Sequence, residues 1–201
     1  EVLTINTTPA ITVVDDTPDP TTISLSASPN ATEGGFITYT ASLTSVAQST
    51  VNVTLSNGIS LVIAAGSTTG SATSPAPGDD VYLDSGSVSA SIVSAAGGNF
   101  EQLVIDATPA TTTIDDTFDA VIVSLSATPL VDEGGNISYV ASLTHPAQSD
   151  VTVTLNNGVN LTILAGTSSA SIDLPAPSDD VYIDNGAVSA FIISANGGNF
   201  E

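Results

Sequence analysis

One hundred residues after almost every distinctive peptide in this chain, the same peptide returns. Asp15-Asp16-Thr17 recurs as Asp115-Asp116-Thr117, Glu33-Gly34-Gly35 as Glu133-Gly134-Gly135, and Asp79-Asp80-Val81-Tyr82 as Asp179-Asp180-Val181-Tyr182. Ala41-Ser42-Leu43-Thr44 returns at Ala141 to Thr144, and Gly97-Gly98-Asn99-Phe100-Glu101 at Gly197 to Glu201. No insertion or deletion disturbs the spacing, so the unit of folding is about the size of one small sandwich domain. Placed in that frame, residues 1–16 match the closing strand and linker of a preceding repeat. Residues 17–116 form one full repeat, and 117–201 a second that lacks its closing strand.

Inside each repeat the apolar period is two. Ile37, Tyr39, Ala41 and Leu43 alternate with Thr38, Thr40 and Ser42, and Val51, Val53 and Leu55 alternate with Asn52 and Thr54. Half-buried strands have this pattern, one face inward and the other in water. Further strands are expected near 21–27, 59–64, 70–74, 88–94 and 103–114. They are punctuated by Asn57-Gly58, Ala65-Gly66, Pro75-Ala76-Pro77-Gly78, Ser85-Gly86 and Gly97-Gly98. About seven short strands per repeat and no helical period predict an all-β fold of tandem, immunoglobulin-like antiparallel β-sandwiches. Tyr39 and Tyr139, at inward positions, are expected in the core.

Composition removes several functional classes. Of 201 residues, none is Lys, Arg or Cys, while 21 are Asp or Glu. Nucleic acid and anionic membrane surfaces have no cationic partner here. Disulfides, thiol catalysis, thiolate metal sites and Lys–Asn isopeptide crosslinks are excluded with them. Yet 41% of residues are hydrophobic and only 10% charged, which is not the balance of a disordered acidic tail. No apolar run reaches the length of a membrane helix.

The acids are not scattered. Fifteen of the 21 fall in three recurring places. These are the linker (Asp15, Asp16, Asp19; Asp115, Asp116, Asp119), the Glu-Gly-Gly turn (Glu33; Asp132, Glu133) and the Asp-Asp-Val-Tyr loop (Asp79, Asp80, Asp84; Asp179, Asp180, Asp184). On a sandwich whose first strand starts at the opposite pole, all three reach one end, facing the next repeat. Two carboxylates ~5 Å apart repel by roughly 3 kcal/mol at an effective dielectric near 20. With no cationic side chain to relieve it, such a cluster calls for a hard cation. Oxygen ligands from loops suit Ca²⁺ better than Mg²⁺, and no His or Cys cluster invites zinc.

The stretches Thr111-Thr112-Thr113-Ile114-Asp115-Asp116, Ala76 to Asp84 and Ala27 to Gly35 resemble Calx-beta domains. More closely, the whole chain resembles the repeat (extender) region of RTX-type bacterial biofilm adhesins, which carry similar Asp-Asp-Val-Tyr and Gly-Gly-Asn-Phe-Glu stretches. The resemblance implies a Calx-beta-like sandwich. It also implies that Glu33, Asp79, Asp80, Asp84, Asp115 and Asp116 hold calcium at the inter-domain end. By the repeat, Asp15 and Asp16 would serve a preceding unit, and Glu133, Asp179, Asp180 and Asp184 a following one. At Ser85 and Gly86 the chain departs from Calx-beta, which usually supplies more acid there.

Other residues invite chemistry less convincingly. His145 is the one histidine, and its counterpart is Ser45, so a Ser/His/Asp hydrolase is not supported and a surface His-Pro turn is the simpler reading. Paired carboxylates can hydrolyse glycosides, but that needs aromatic platforms, and the chain has no Trp. Five Asn-x-Ser/Thr sequons (Asn6, Asn30, Asn52, Asn136, Asn160) are expected by chance in so Asn-, Ser- and Thr-rich a chain. The expected role is therefore a non-catalytic, extracellular spacer in a surface or secreted fibre, supporting cell adhesion or biofilm formation. The alternative is a repeat that itself binds carbohydrate or another surface.

The register of the ends carries a last expectation. The segment Val2–Val14 matches Gln102–Ile114, which closes the first repeat, and the second repeat has no such strand among its residues. The expected partner is an identical neighbouring repeat, end to end, in the same polypeptide or in a strand-donating subunit. Val2–Val14 should then lie outside the sandwich built by residues 17–114.

Overall fold

The computed structural model describes residues 1–182 and 186–201. All regular structure among them is β. In the first repeat the strands are β1 (Pro20–Ala27), β2 (Asn30–Thr32), β3 (Phe36–Leu43), β4 (Val51–Leu55), β5 (Ser60–Ile63), β6 (Thr69–Pro75), β7 (Gly86–Ala90), β8 (Ile92–Gly97), β9 (Gln102–Ile105) and β10 (Ala110–Asp115). In the second they are β11 (Val123–Ala127), β12 (Asn136–Leu143), β13 (Val151–Leu155), β14 (Asn160–Ile163), β15 (Ser169–Pro175) and β16 (Ile192–Gly197). No helix among the described residues is long and apolar enough to cross a membrane.

The chain forms two compact units. The first comprises residues 1–29, 37–74 and 89–112. The second comprises 30–36, 75–88 and 113–201. The first repeat is built on sheets ordered β6-β3-β1-β9 and β5-β4-β8, with a third ladder β2-β10-β7. In the second, β11-β12-β15 and β14-β13-β16 repeat the two main sheets. The alternation sets the burial: along β4, Val51, Val53 and Leu55 are buried, while Asn52 is exposed and Thr54 half-buried. Tyr39 and Tyr139 are core residues, at 0% and 2% exposure.

Two expected strands are each two strands. Residues 88–94 divide at Ser91 into the end of β7, which joins β10, and the start of β8, which pairs antiparallel with β4. The chain changes sheet there without breaking its period of two. Residues 103–114 divide where the Asp106 carboxylate accepts hydrogen bonds from the Thr108 backbone N–H (2.9 Å) and hydroxyl (2.7 Å). Pro109 follows, with no N–H to continue a ladder. The sheets are also not wholly antiparallel: β1 pairs parallel with β9, and β2 parallel with β10. Glycine is required where β8 ends. Gly97 has φ 111°, and a Cβ there would stand 2.1 Å from the Thr50 carbonyl oxygen; Gly197 repeats this against Asp150.

The repeats differ where β9 and β10 act. Residues 130–132 and 186–190, the counterparts of β2 and β7, carry no strand, and β11 begins three residues later than β1 does. In the first repeat those residues are strands because β9 and β10 supply their ladder partners. Residues 1–19 likewise form no strand. Val2 and Val14 are 91% and 88% exposed, and the Val2–Val14 segment joins no strand among the described residues.

Candidate functional site

The Glu-Gly-Gly turn that follows β2 is held on two sides. The Glu33 N–H donates to the Asp115 carbonyl at the end of β10 (3.1 Å), and the Gly34 N–H donates to the Pro77 carbonyl (2.8 Å). The Ala76 N–H returns a bond to the Gly35 carbonyl (2.9 Å). Gly34 adopts φ 64°, a left-handed conformation that carries the turn close to Asp79. These bonds tie three separate segments, 30–36, 75–88 and the end of β10, to one place.

At that place Glu33, Asp84 and Asp116 present carboxylate oxygens all within 4.8 Å of one another. Glu33 is 7% exposed, Asp116 half-buried and Asp84 exposed. Glu33 Oε2 and both Asp116 carboxylate oxygens are buried with no hydrogen-bond partner. Burial, then the neighbouring carboxylates of Asp84 and Asp116, push the Glu33 carboxyl up to about 7. Buried acceptors are normally satisfied. Here no Lys or Arg exists anywhere in the chain to satisfy them. An oxygen-only donor set with orphaned, negatively charged atoms fits a hard divalent cation.

Asp116 also faces a third carboxylate, Glu201, that sequence reasoning passed over. Glu201 accepts a hydrogen bond from the Asp119 backbone N–H through Oε2 (2.5 Å), while its Oε1 is buried without a partner. Burial raises the Glu201 carboxyl, the Asp119 N–H partly offsets this, and Asp116 adds to the rise. Glu101 makes the same bond to the Asp19 N–H (2.6 Å). The signal was available: both are the last residue of the recurrent Gly-Gly-Asn-Phe-Glu.

The remaining expected ligands stand apart from the three-carboxylate cluster. The Asp79 carboxylate accepts from the Thr117 hydroxyl. Asp80 and Asp180 each accept from the N–H two residues on, Tyr82 (2.8 Å) and Tyr182 (2.7 Å), closing the turn that places the tyrosine. Asp115 contributes its carbonyl to the Glu33 turn while its side chain is exposed. Asp15 and Asp16 lie on the exposed N-terminal segment. In the second repeat the turn is held alike, with the Gly134 N–H on the Pro177 carbonyl (2.7 Å), but Glu133, Asp179 and Asp180 are exposed. Asp184 lies outside the described residues. His145 is exposed.

Comparison with known proteins gives one family. A solved structure described as the crystal structure of CBD12 from CALX1.2 is similar at a TM-score of 0.39 and 13% identity, covering 84% of this chain and 74% of that one. No curated protein sequence matches. Residues 19–117 and 119–201 both match the LapA domain, and together they span nearly the whole chain. The chain therefore belongs to the LapA domain family, a family of biofilm adhesins.

Proposed function

We propose that this chain is a spacer segment of an extracellular adhesin, on the cell surface or in a secreted fibre, whose repeats are stiffened by calcium bound at Glu33, Asp84 and Asp116. The observation that carries the reading is the buried Glu33 carboxylate, aimed at two other carboxylates in a chain with no Lys or Arg. Removing the like-charge repulsion by binding a divalent cation converts an unfavourable cluster into a tie between three segments. Those segments are the turn after β2, the loop before β7 and the linker after β10. A spacer needs that tie more than it needs a recognition surface. Recognition favours exposed aromatics and Arg; the chain has no Arg and no Trp.

Calcium would supply charge neutralisation and oxygen coordination. The chain's own residues hold the carboxylates in place, through the Glu33 N–H on Asp115 and the Gly34 N–H on Pro77. The test is isothermal titration calorimetry of calcium into metal-free protein, beside Glu33→Gln and Asp116→Asn. The account predicts a calcium-binding heat that either variant weakens severely. Equal binding by all three proteins would overturn this assignment of ligands.

A further inference from the structure

Of the three clustered carboxylates, Asp84 stands on the least regular backbone. Glu33 belongs to the turn bonded to Asp115 and Pro77, and Asp116 directly follows β10. Residues 76–85, by contrast, carry no strand, only an isolated bridge at Tyr82. From Asp79 to Ser85 every side chain is exposed except those of Val81 and Tyr82, which are half-buried. What fixes Tyr82 therefore bears directly on where Asp84 can be.

Tyr82 has a defined seat. Its hydroxyl donates to the Pro146 carbonyl (2.8 Å), and its ring stacks on Phe200 with centroids 5.8 Å apart and 21° between planes. Two backbone bonds flank the stacked pair, from the Leu83 N–H to the Asn199 carbonyl (3.2 Å) and from the Glu201 N–H to the Val81 carbonyl (3.4 Å). The seat is itself braced. The Asn199 side-chain amide donates to Gln148 Oε1 (2.8 Å), the Gln148 N–H donates to the Gly198 carbonyl (3.0 Å), and Phe200 packs against the core of the second repeat. On the loop side, the Asp80 carboxylate accepts from the Tyr82 N–H (2.8 Å) and so aims the ring. The seat, the loop and the three carboxylates all belong to the second compact unit.

We propose that Tyr82 is a positioning residue for the cation: seated on Phe200 and Pro146, it holds the loop in the form in which Asp84 meets Glu33 and Asp116. Asp84 lies two residues on, so a fixed Tyr82 confines its Cα to within about 7 Å. A loop that visits the seated form only part of the time binds with a dissociation constant raised by the inverse of that fraction. Seat and metal are then linked in both directions, and whatever the seat adds to calcium affinity, calcium returns to the seat. The proposal rests on the calcium reading and adds to it a residue outside the carboxylate cluster.

The test titrates calcium calorimetrically into the metal-free unsubstituted chain, Tyr82→Ala, Tyr82→Phe and Tyr182→Ala, each first shown to be folded by circular dichroism and melting in EDTA. Tyr182 occupies the matching position in the second repeat, is 75% exposed, and serves as the control. Tyr82→Ala should weaken calcium binding about tenfold, the scale of one stacked ring pair. Tyr82→Phe keeps the ring and should recover most of that affinity, and Tyr182→Ala should bind as the unsubstituted chain does. The reverse linkage is read without truncating any side chain, by fluorine NMR of protein labelled with 3-fluorotyrosine. The Tyr82 line is identified by its loss in Tyr82→Phe. Calcium should move that line while the lines of the buried Tyr39 and Tyr139 stay in place, and Glu33→Gln should abolish the movement. Equal calcium affinity in the unsubstituted chain and Tyr82→Ala, or a Tyr82 line unmoved by bound calcium, overturns this proposal alone. No calcium-binding heat in any of the proteins overturns it together with the calcium reading.

Discussion

Truncating Ile114 to alanine tests whether β10 is the element that closes the first repeat. Ile114 is 2% exposed and paired with Ala31. Its side chain loses three carbons, about 2.4 kcal/mol at ~0.8 kcal/mol per buried methylene. The cavity left behind brings the cost to about 3–4 kcal/mol, inside the range for large-to-small core changes. For a unit of about 100 residues each kcal/mol moves the melting temperature by about 4–8 °C, so the shift should be about 12–30 °C. Val14 occupies the matching position on the N-terminal segment but is 88% exposed. Val14→Ala should therefore leave the melting of dilute, monomeric protein within about 0.5 kcal/mol of the unsubstituted chain. Differential scanning calorimetry in EDTA reads both. If Ile114→Ala costs under about 1 kcal/mol, or the two variants cost the same, the role given to β10 is wrong.

Two other outcomes are expected. In EDTA the protein should be more stable near pH 5 than near pH 8. The Glu33 carboxyl is raised to about 7 from an ordinary 4.5, so its contribution is complete below 4.5 and is lost as pH rises through 7. Glu201 acts in the same direction. Asp106, lowered by its bonds to Thr108, opposes the trend only at acidic pH. Glu33→Gln should flatten the profile, and an unchanged slope in equilibrium denaturation would count against the buried-carboxylate account. Small-angle scattering should show a longer, narrower particle with calcium than without, if metal stiffens the linker Asp115–Asp119; superimposable curves would reject that stiffening.

The repeat and the alternation made the sandwich legible, because a period of two needs only one buried face. What stayed hidden depended on partners remote in sequence. Nothing at Ser91 marks the passage from β7 to β8, since the period continues while the hydrogen-bonding partner changes from β10 to β4. The parallel pairings of β9 and β10 follow from where the chain returns, which a local pattern does not encode. At the site, acid clustering marked Glu33, Asp84 and Asp116 among its candidates, and their carboxylate oxygens lie within 4.8 Å of one another. Counting carboxylates could not separate Asp80, which closes its own turn, from Asp84, whose oxygens meet Glu33. Glu101 and Glu201 were overlooked for the opposite reason, as each stands alone at the end of an otherwise uncharged motif.

Thermal melting at pH 8 with and without calcium tests the central claim most directly. Extracellular calcium sites commonly have dissociation constants of ~0.1–1 mM. Calcium at about a hundredfold excess over such a constant adds about 2.7 kcal/mol per site, a rise of about 10–20 °C for a unit of about 100 residues. Glu33→Gln should abolish that rise while melting higher than the unsubstituted protein in EDTA, because the buried charge and its repulsion from Asp84 and Asp116 are gone. A melting temperature identical in excess calcium and in EDTA would contradict the account.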